Sequence, residues 1–297
     1  MAFLQTNEIF KNELSANRHQ MTEEEVRKVQ EVSLEITRDV VRVCEKYHIG
    51  YMLTGGTALG AVRHGGFIPW DDDIDMVVSR CEINNLLDAI GEEYGDKYYI
   101  EAPLRTSGYL SSFIQIHKNG TVFQEYLHQD EKHCGIKIDI FIIENTYDNP
   151  VLRKLHGLNC ELDLFLLSCY RMYAWRSEFF QLARGNKRAS FLIRVKGTLG
   201  FLLSPFSETL YRRTQLCLQR CRDNQSEYIA VPSGRKHFFG ELCKRSEYME
   251  RAAMLFEGEK FMFPANYDAY LKNMYGNYME IPPVEKREHH VIYQLKF

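Results

Sequence analysis

Apolar residues recur at three- and four-residue steps from Val29 through Val32, Ile36, Val40 and Val43 to Tyr47, the spacing of one helical face. Thr22 and Glu25 precede that stripe and match a capping box, so the first long helix is expected to begin at Thr22. The period then changes. Residues 51–54 are short and apolar and run into Gly55-Gly56, which predicts a strand ending in a tight turn. Helical character returns over 57–63 and is broken by His64-Gly65-Gly66. A second strand is predicted over 74–78, a helix over 82–94 and a further strand over 136–143. Segments 112–117 and 121–126 flank Lys118-Asn119-Gly120, and because Asn-Gly takes positive-φ turn positions readily the two read as a hairpin.

Beyond Asp148-Asn149-Pro150 the texture becomes helical, rich in Leu, Arg and aromatics, until mixed structure returns near Glu227. The expected fold is α+β, a mixed sheet core flanked by helices with a largely helical insertion or second subdomain. The boundaries are drawn at 22–148 for the core, 149–245 for the mostly helical region and 246–297 for a closing segment. A length of 297 residues suits about two domains or one large one.

Charge narrows the function. The chain carries 37 Lys+Arg against 40 Asp+Glu, a net −3, which argues against a general polyanion binder and so against nucleic acid as partner. Eighteen Tyr, 18 Phe and 2 Trp can fill a core and line a pocket besides. The eight cysteines are scattered without a C-x-x-C pair, and they read as reduced, mostly buried thiols of a cytoplasmic protein. Cys217 and Cys221 would share one face of a helix. The start of the chain shows no basic-then-apolar leader, and no stretch reaches the ~20 apolar residues of a membrane span. Residues 191–206 are apolar with two basic residues; they suit either peripheral contact at the inner face of a membrane or a buried helix pair.

The chemistry concentrates in 54–78. On a strand, residues two apart point the same way, so Asp73 and Asp75 face one side while Ile74, Met76 and Val78 face the other. Two such carboxylates repel each other, and a hard divalent cation is their natural partner. Asp71 and Asp72 read instead as an exposed acidic turn. Asp139 is the one acid in the apolar run 136–143, so it needs either a metal or a partner such as Lys137 at a sheet edge. Gly55 and Gly56, followed by Thr57, sit between a strand and a helix, where the backbone can approach a phosphate closely. Glycine turn and carboxylates together describe a metal-assisted phosphoryl transfer site.

The segment 53–78 with its GAVRHGGFIPWDDDID string, Lys137-Ile138-Asp139-Ile140-Phe141, Phe256-Glu257-Gly258, 264–278 and 282–289 resemble the LicD family. That family is a branch of the DNA polymerase β-like nucleotidyltransferase superfamily that also includes the fukutin-related proteins. The resemblance implies a nucleotidyltransferase-like core using Mg2+ or Mn2+ held by Asp73, Asp75 and Asp139. It implies transfer of a phospho-alcohol, phosphocholine first, from a CDP-activated donor such as CDP-choline to a hydroxyl of a surface glycan, teichoic acid or lipopolysaccharide precursor. Asp139 would be general base or metal ligand. Arg63 is expected at the donor phosphate, His64 either there or as a solvent-exposed histidine at a helix end, and Trp70 as a pocket wall or loop anchor. Lys286, Arg287 and His289 would close over the nucleotide from the far end of the chain. Tyr267, Tyr270 and Tyr275 would either surround a quaternary ammonium or pack a helix. The acceptor, lipid-linked or not, would be chosen by the middle region. The same acids would also serve a nucleotidyltransferase that leaves a nucleoside monophosphate on a sugar or small molecule, whereas a non-catalytic scaffold has no use for three intact acids.

Overall fold

The structure, a computed structural model, describes residues 19, 21–125, 133–284, 287 and 292–297. Among the described residues the first helix, α1 (Glu23–Lys46), starts as the sequence requires. The Thr22 hydroxyl accepts from the Glu25 N–H at 3.2 Å, and the Glu25 carboxylate accepts from the Thr22 N–H at 2.8 Å. Its stripe buries Val29, Ile36, Val40 and Val43 but ends there: Tyr47 is the C-cap residue and is exposed.

Chain order continues β1 (Tyr51–Leu53), α2 (Gly55–His64), β2 (Asp75–Ser79), α3 (Ile83–Tyr94), β3 (Tyr98–Glu101), β4 (Ile114–Lys118), β5 (Val122–Glu125) and β6 (Lys137–Asn145). A helical layer follows, α4 (Pro150–Ala174), α5 (Arg176–Leu182), α6 (Lys187–Leu203) and α7 (Ser207–Leu218). The chain then returns through β7 (Tyr228–Ala230), β8 (Cys243–Lys244), β9 (Arg251–Phe256), β10 (Glu259–Pro264), α8 (Tyr267–Tyr275) and β11 (Ile292–Lys296).

The principal sheet is mixed, in the order β1-β2-β6-β4-β3, with β7 pairing the far end of β6 and β8 pairing β7. Only β2 and β6 run parallel, with Asp75 in register with Asp139. One core joins α1, α3 and the sheet through Ile36, Leu86, Ile116 and Ile140, and the β9–β10 hairpin adds Phe256 and Phe263 to it.

Several expectations are corrected. The 112–117 and 121–126 segments do not form a hairpin, although Gly120 takes the expected φ of 83° (Tyr126 lies outside the described residues). β4 has both edges filled by β3 and β6, so β5 turns away and pairs with β11. α7 ends at Leu218, so Cys221 shares no helix face with Cys217, whose sulfur lies 3.7 Å from that of Cys160 across α4. Six cysteines are buried, while Cys81 is exposed and Cys243 half-buried. Among the described residues no helix is long and apolar enough to cross a membrane.

Candidate active site

β2 and β6 are neighbours, so residues in register across them lie side by side. Asp75 and Asp139 are such a pair, and the Asp139 N–H donates to the carbonyl of Ile74 at 3.0 Å. Asp73 precedes β2 in the same alternation: Ile74 and Met76 are fully buried on the core side, while Asp73 and Asp75 are half-buried on the other. Carboxylate oxygens of Asp73, Asp75 and Asp139 all lie within 4.8 Å of one another. Asp71, Asp72 and Asp73 form a second such group. The expected exposed turn at Asp71 and Asp72 is thus corrected, since Asp72 is buried and Asp71 half-buried. Three hard oxygen donors at this spacing fit a Mg2+-type ion, because their mutual repulsion calls for a compact positive charge.

Asp139 is held by two neighbours. Gln115 Nε2, in register on β4, donates to Oδ1 at 2.9 Å, and Lys137 Nζ lies 3.5 Å from the same oxygen. Lys137 also pairs with Glu125 at 3.2 Å. Burial opposes the Lys137 charge, yet Asp139, Glu125 and Asp73 outweigh it and hold the ammonium above its usual range. The lysine partner is therefore present together with the acid cluster, in the middle of the sheet and not at an edge.

The glycine turn is fitted tightly to these acids. Gly55 has a φ of +56°, and a Cβ there would stand 2.0 Å from Asp75 Oδ2. A Cβ on Gly56 would stand 2.6 Å from Asp71 Oδ2. The Gly56 N–H donates to Asp75 Oδ2 at 3.3 Å, and the Asp75 N–H donates to the Thr57 hydroxyl at 2.9 Å. Gly55 N–H donates to Tyr270 Oη at 2.9 Å. The turn therefore fixes the carboxylates as much as it offers N–H groups to a ligand.

Distant segments converge here. The Phe67 N–H donates to Glu257 at 2.9 Å, seating the 256–258 turn on Gly66. Arg63 donates to the carbonyls of Tyr278 and Glu280 at 2.9 and 3.2 Å, so its guanidinium braces the C-terminal segment. Burial lowers its pKa, and lowers that of His64, with the Arg63 charge adding to the latter. The His64 ring meets Trp70 edge-on at 6.2 Å, and the Arg287 guanidinium lies over the Trp70 ring at 4.0 Å. Lys286 and His289 lie outside the described residues. Tyr270 and Tyr275 pack against the core beside α2, and burial pushes both hydroxyls up. Tyr267 packs there too.

Two further buried polar residues carry no sequence motif. Gln115 announces itself only as a polar residue between Ile114 and Ile116 on a buried strand. Glu241 acts electrostatically on the Tyr270 hydroxyl, accepts from the Lys236 N–H at 2.9 Å, and has its carboxyl pushed up to about 7 by burial.

Residues 48–151 match the family described as LicD/FKTN/FKRP, nucleotidyltransferase domain. The chain is 30% identical over 273 residues to the lipopolysaccharide cholinephosphotransferase LicD of Haemophilus influenzae, covering 90% of this chain and 96% of that protein. It is 43% identical over 61 residues to the ribitol 5-phosphate transferases FKRP of Mus musculus and Homo sapiens, 20% of this chain and 12% of theirs. The match to the Haemophilus protein runs nearly end to end in both chains, and the acids gathered by β2 and β6 fall inside the matched domain; the chain belongs to the LicD family.

Proposed function

We propose that the protein transfers phosphocholine from CDP-choline to a hydroxyl of a cell-surface glycan precursor, using Mg2+ or Mn2+ held by Asp73, Asp75 and Asp139. The observation that carries this reading is the meeting within 4.8 Å of three carboxylates, Asp75 and Asp139 in register on adjacent parallel strands and Asp73 just before the first of them. The names of the relatives support the transferred group: one moves phosphocholine and another ribitol 5-phosphate, so the shared chemistry is phosphodiester exchange with a variable alcohol. On this reading the sheet is a nucleotidyltransferase-like core (22–148), 149–245 selects the acceptor, and 246–297 completes the donor pocket.

When bound, the divalent ion supplies positive charge against the diphosphate oxygens and lowers the pKa of an oxygen it touches. The chain's own residues do the rest. Gln115 and Lys137 both address Oδ1 of Asp139, so its other oxygen would either hold the ion or take the acceptor's proton. The acceptor oxygen then forms its bond to the choline-bearing phosphorus as the bond to CMP breaks, and CMP leaves with the electron pair. Trp70, capped by Arg287, lines the approach of the donor, and the Gly55-Gly56-Thr57 turn keeps Asp75 in place.

A donor screen tests this. CDP-choline with Mg2+ should raise the melting temperature by several degrees at about a hundred times its Kd, with ATP and UTP inert, and should release free CMP in the presence of acceptor. Stabilisation by CDP-ribitol instead would keep the chemistry and change the alcohol. Stabilisation by ATP alone, with nucleoside monophosphate found on the acceptor, would replace this proposal with nucleotidyl transfer.

A further inference from the structure

The helical layer distributes its apolar residues in an unusual way. α6 packs Ala189, Ile193 and Gly200 inward, and Gly200 meets the α4 backbone at Cys169 so closely that a Cβ would stand 2.1 Å from its carbonyl oxygen. The outer face carries large apolar side chains in the open. Phe191 is 64% exposed, Val195 52%, Phe201 56% and Leu202 64%, and Phe206 in the turn that follows is 65% exposed. At 100° per residue, positions 191, 195 and 202 fall within about 40° of one another, with Arg188 on one flank and Arg194 on the other. The span 191–206 is thus neither a buried helix pair nor a wholly interfacial segment: one face is packed and the other bare.

Charge follows the same region. Residues 151–222 hold thirteen Lys+Arg and four Asp+Glu, a net +9 in a chain whose total is −3. α6 has no acidic residue, and Arg184, Lys187, Arg188 and Arg194 are all exposed on it or just before it. A second copy seated on this face would set those cations against their own copies. An anionic surface with an apolar interior answers both features, because headgroup phosphates attract the arginines while the acyl boundary takes the rings.

We infer that the outer face of α6 and its following turn dock the protein onto an anionic lipid bilayer. The basic residues draw the protein to the surface, and Phe191, Phe201, Leu202 and Phe206 enter the headgroup region without crossing the membrane. This inference stands independently of the transferase reading, since it requires neither donor nor turnover.

Co-sedimentation of the full chain with vesicles tests it in the absence of nucleotide. Vesicles of phosphatidylcholine with about a third phosphatidylglycerol should bind the protein at least tenfold more tightly than phosphatidylcholine alone, and raising salt to 0.5 M should erase most of that difference. Phe191→Asn combined with Phe201→Asn and Leu202→Asn should cut binding tenfold or more. Arg188→Glu with Arg194→Glu should cut it about as much, at roughly fivefold per residue. These side chains are exposed, so circular dichroism and the melting temperature should match the parent. Failure to bind anionic vesicles, binding untouched by both variants, or a dimer in ultracentrifugation that the apolar variant dissolves would each overturn the inference.

Discussion

The sheet core and the helical layer solve opposite problems. Around β2 and β6 the protein gathers charge inward: Asp139, Lys137 and Glu144 are buried, and each is matched by a partner, Glu144 by Arg80 and Asp139 by Gln115 and Lys137. In the helical layer it leaves apolar surface outward. α4 buries Gly157, Cys160 and Asp163 but exposes Val151, Leu155, Leu158 and Leu162 at alternating four- and three-residue steps. An inward charge is explained by its neighbours in the same chain, whereas an outward ring or leucine is explained only by what the chain meets. The first region is balanced within the chain, and the second leaves apolar surface open to its surroundings.

Breaking the charge cluster should give the largest effects. Asp73→Asn should lower CMP release about a thousandfold, as expected when a ligand to transition-state charge is lost. In EDTA the same variant should melt no lower than the parent, because one of three mutually repelling carboxylates is gone. Lys137→Met should act mainly on stability. It removes the buried cation that Asp139 and Glu125 share and should cost about 3–5 kcal/mol in denaturant unfolding.

Glu241 gives a pH test elsewhere in the buried polar groups. Its folded pKa of about 7 lies above an ordinary carboxyl near 4.5, so the unfolded chain loses its proton first as pH rises. Stability from this group is full below about pH 4.5 and is lost by the time pH passes 7, a decline of about 3 kcal/mol. Glu241→Gln should flatten that part of the stability–pH curve and exceed the parent at pH 8, read by urea titrations across the range. Gly55→Ala should cost at least about 2 kcal/mol, since it combines a positive φ with a 2.0 Å approach to Asp75. Leu158→Ser, on the outward stripe of α4, should change stability by no more than about 0.5 kcal/mol, marking the helical surface as free of any folding role.

The sequence disclosed the parts of this molecule whose logic is local. Thr22 and Glu25 cap α1 because a box needs only four residues, and Asp73 and Asp75 share a side because strand alternation needs only three. Asp139 stood out as a lone acid in an apolar run, and its register with Asp75 explains why. What stayed hidden depends on partners far along the chain. The Asn119-Gly120 turn forms, but the pairing of β5 was decided by β11 and by the filled edges of β4. Arg63 offered a fork suited to phosphate and is engaged by two carbonyls more than 200 positions away. Gln115 had no motif to mark it.

The bond from Gly55 to Tyr270 spans 215 positions. The glycine turn is made early in synthesis and the hydroxyl it bonds is made late, so this hydrogen bond forms only after α8 has packed. A copy lacking α8 would leave the Gly55 N–H without that acceptor, so a late segment of the chain completes the turn beside the acids.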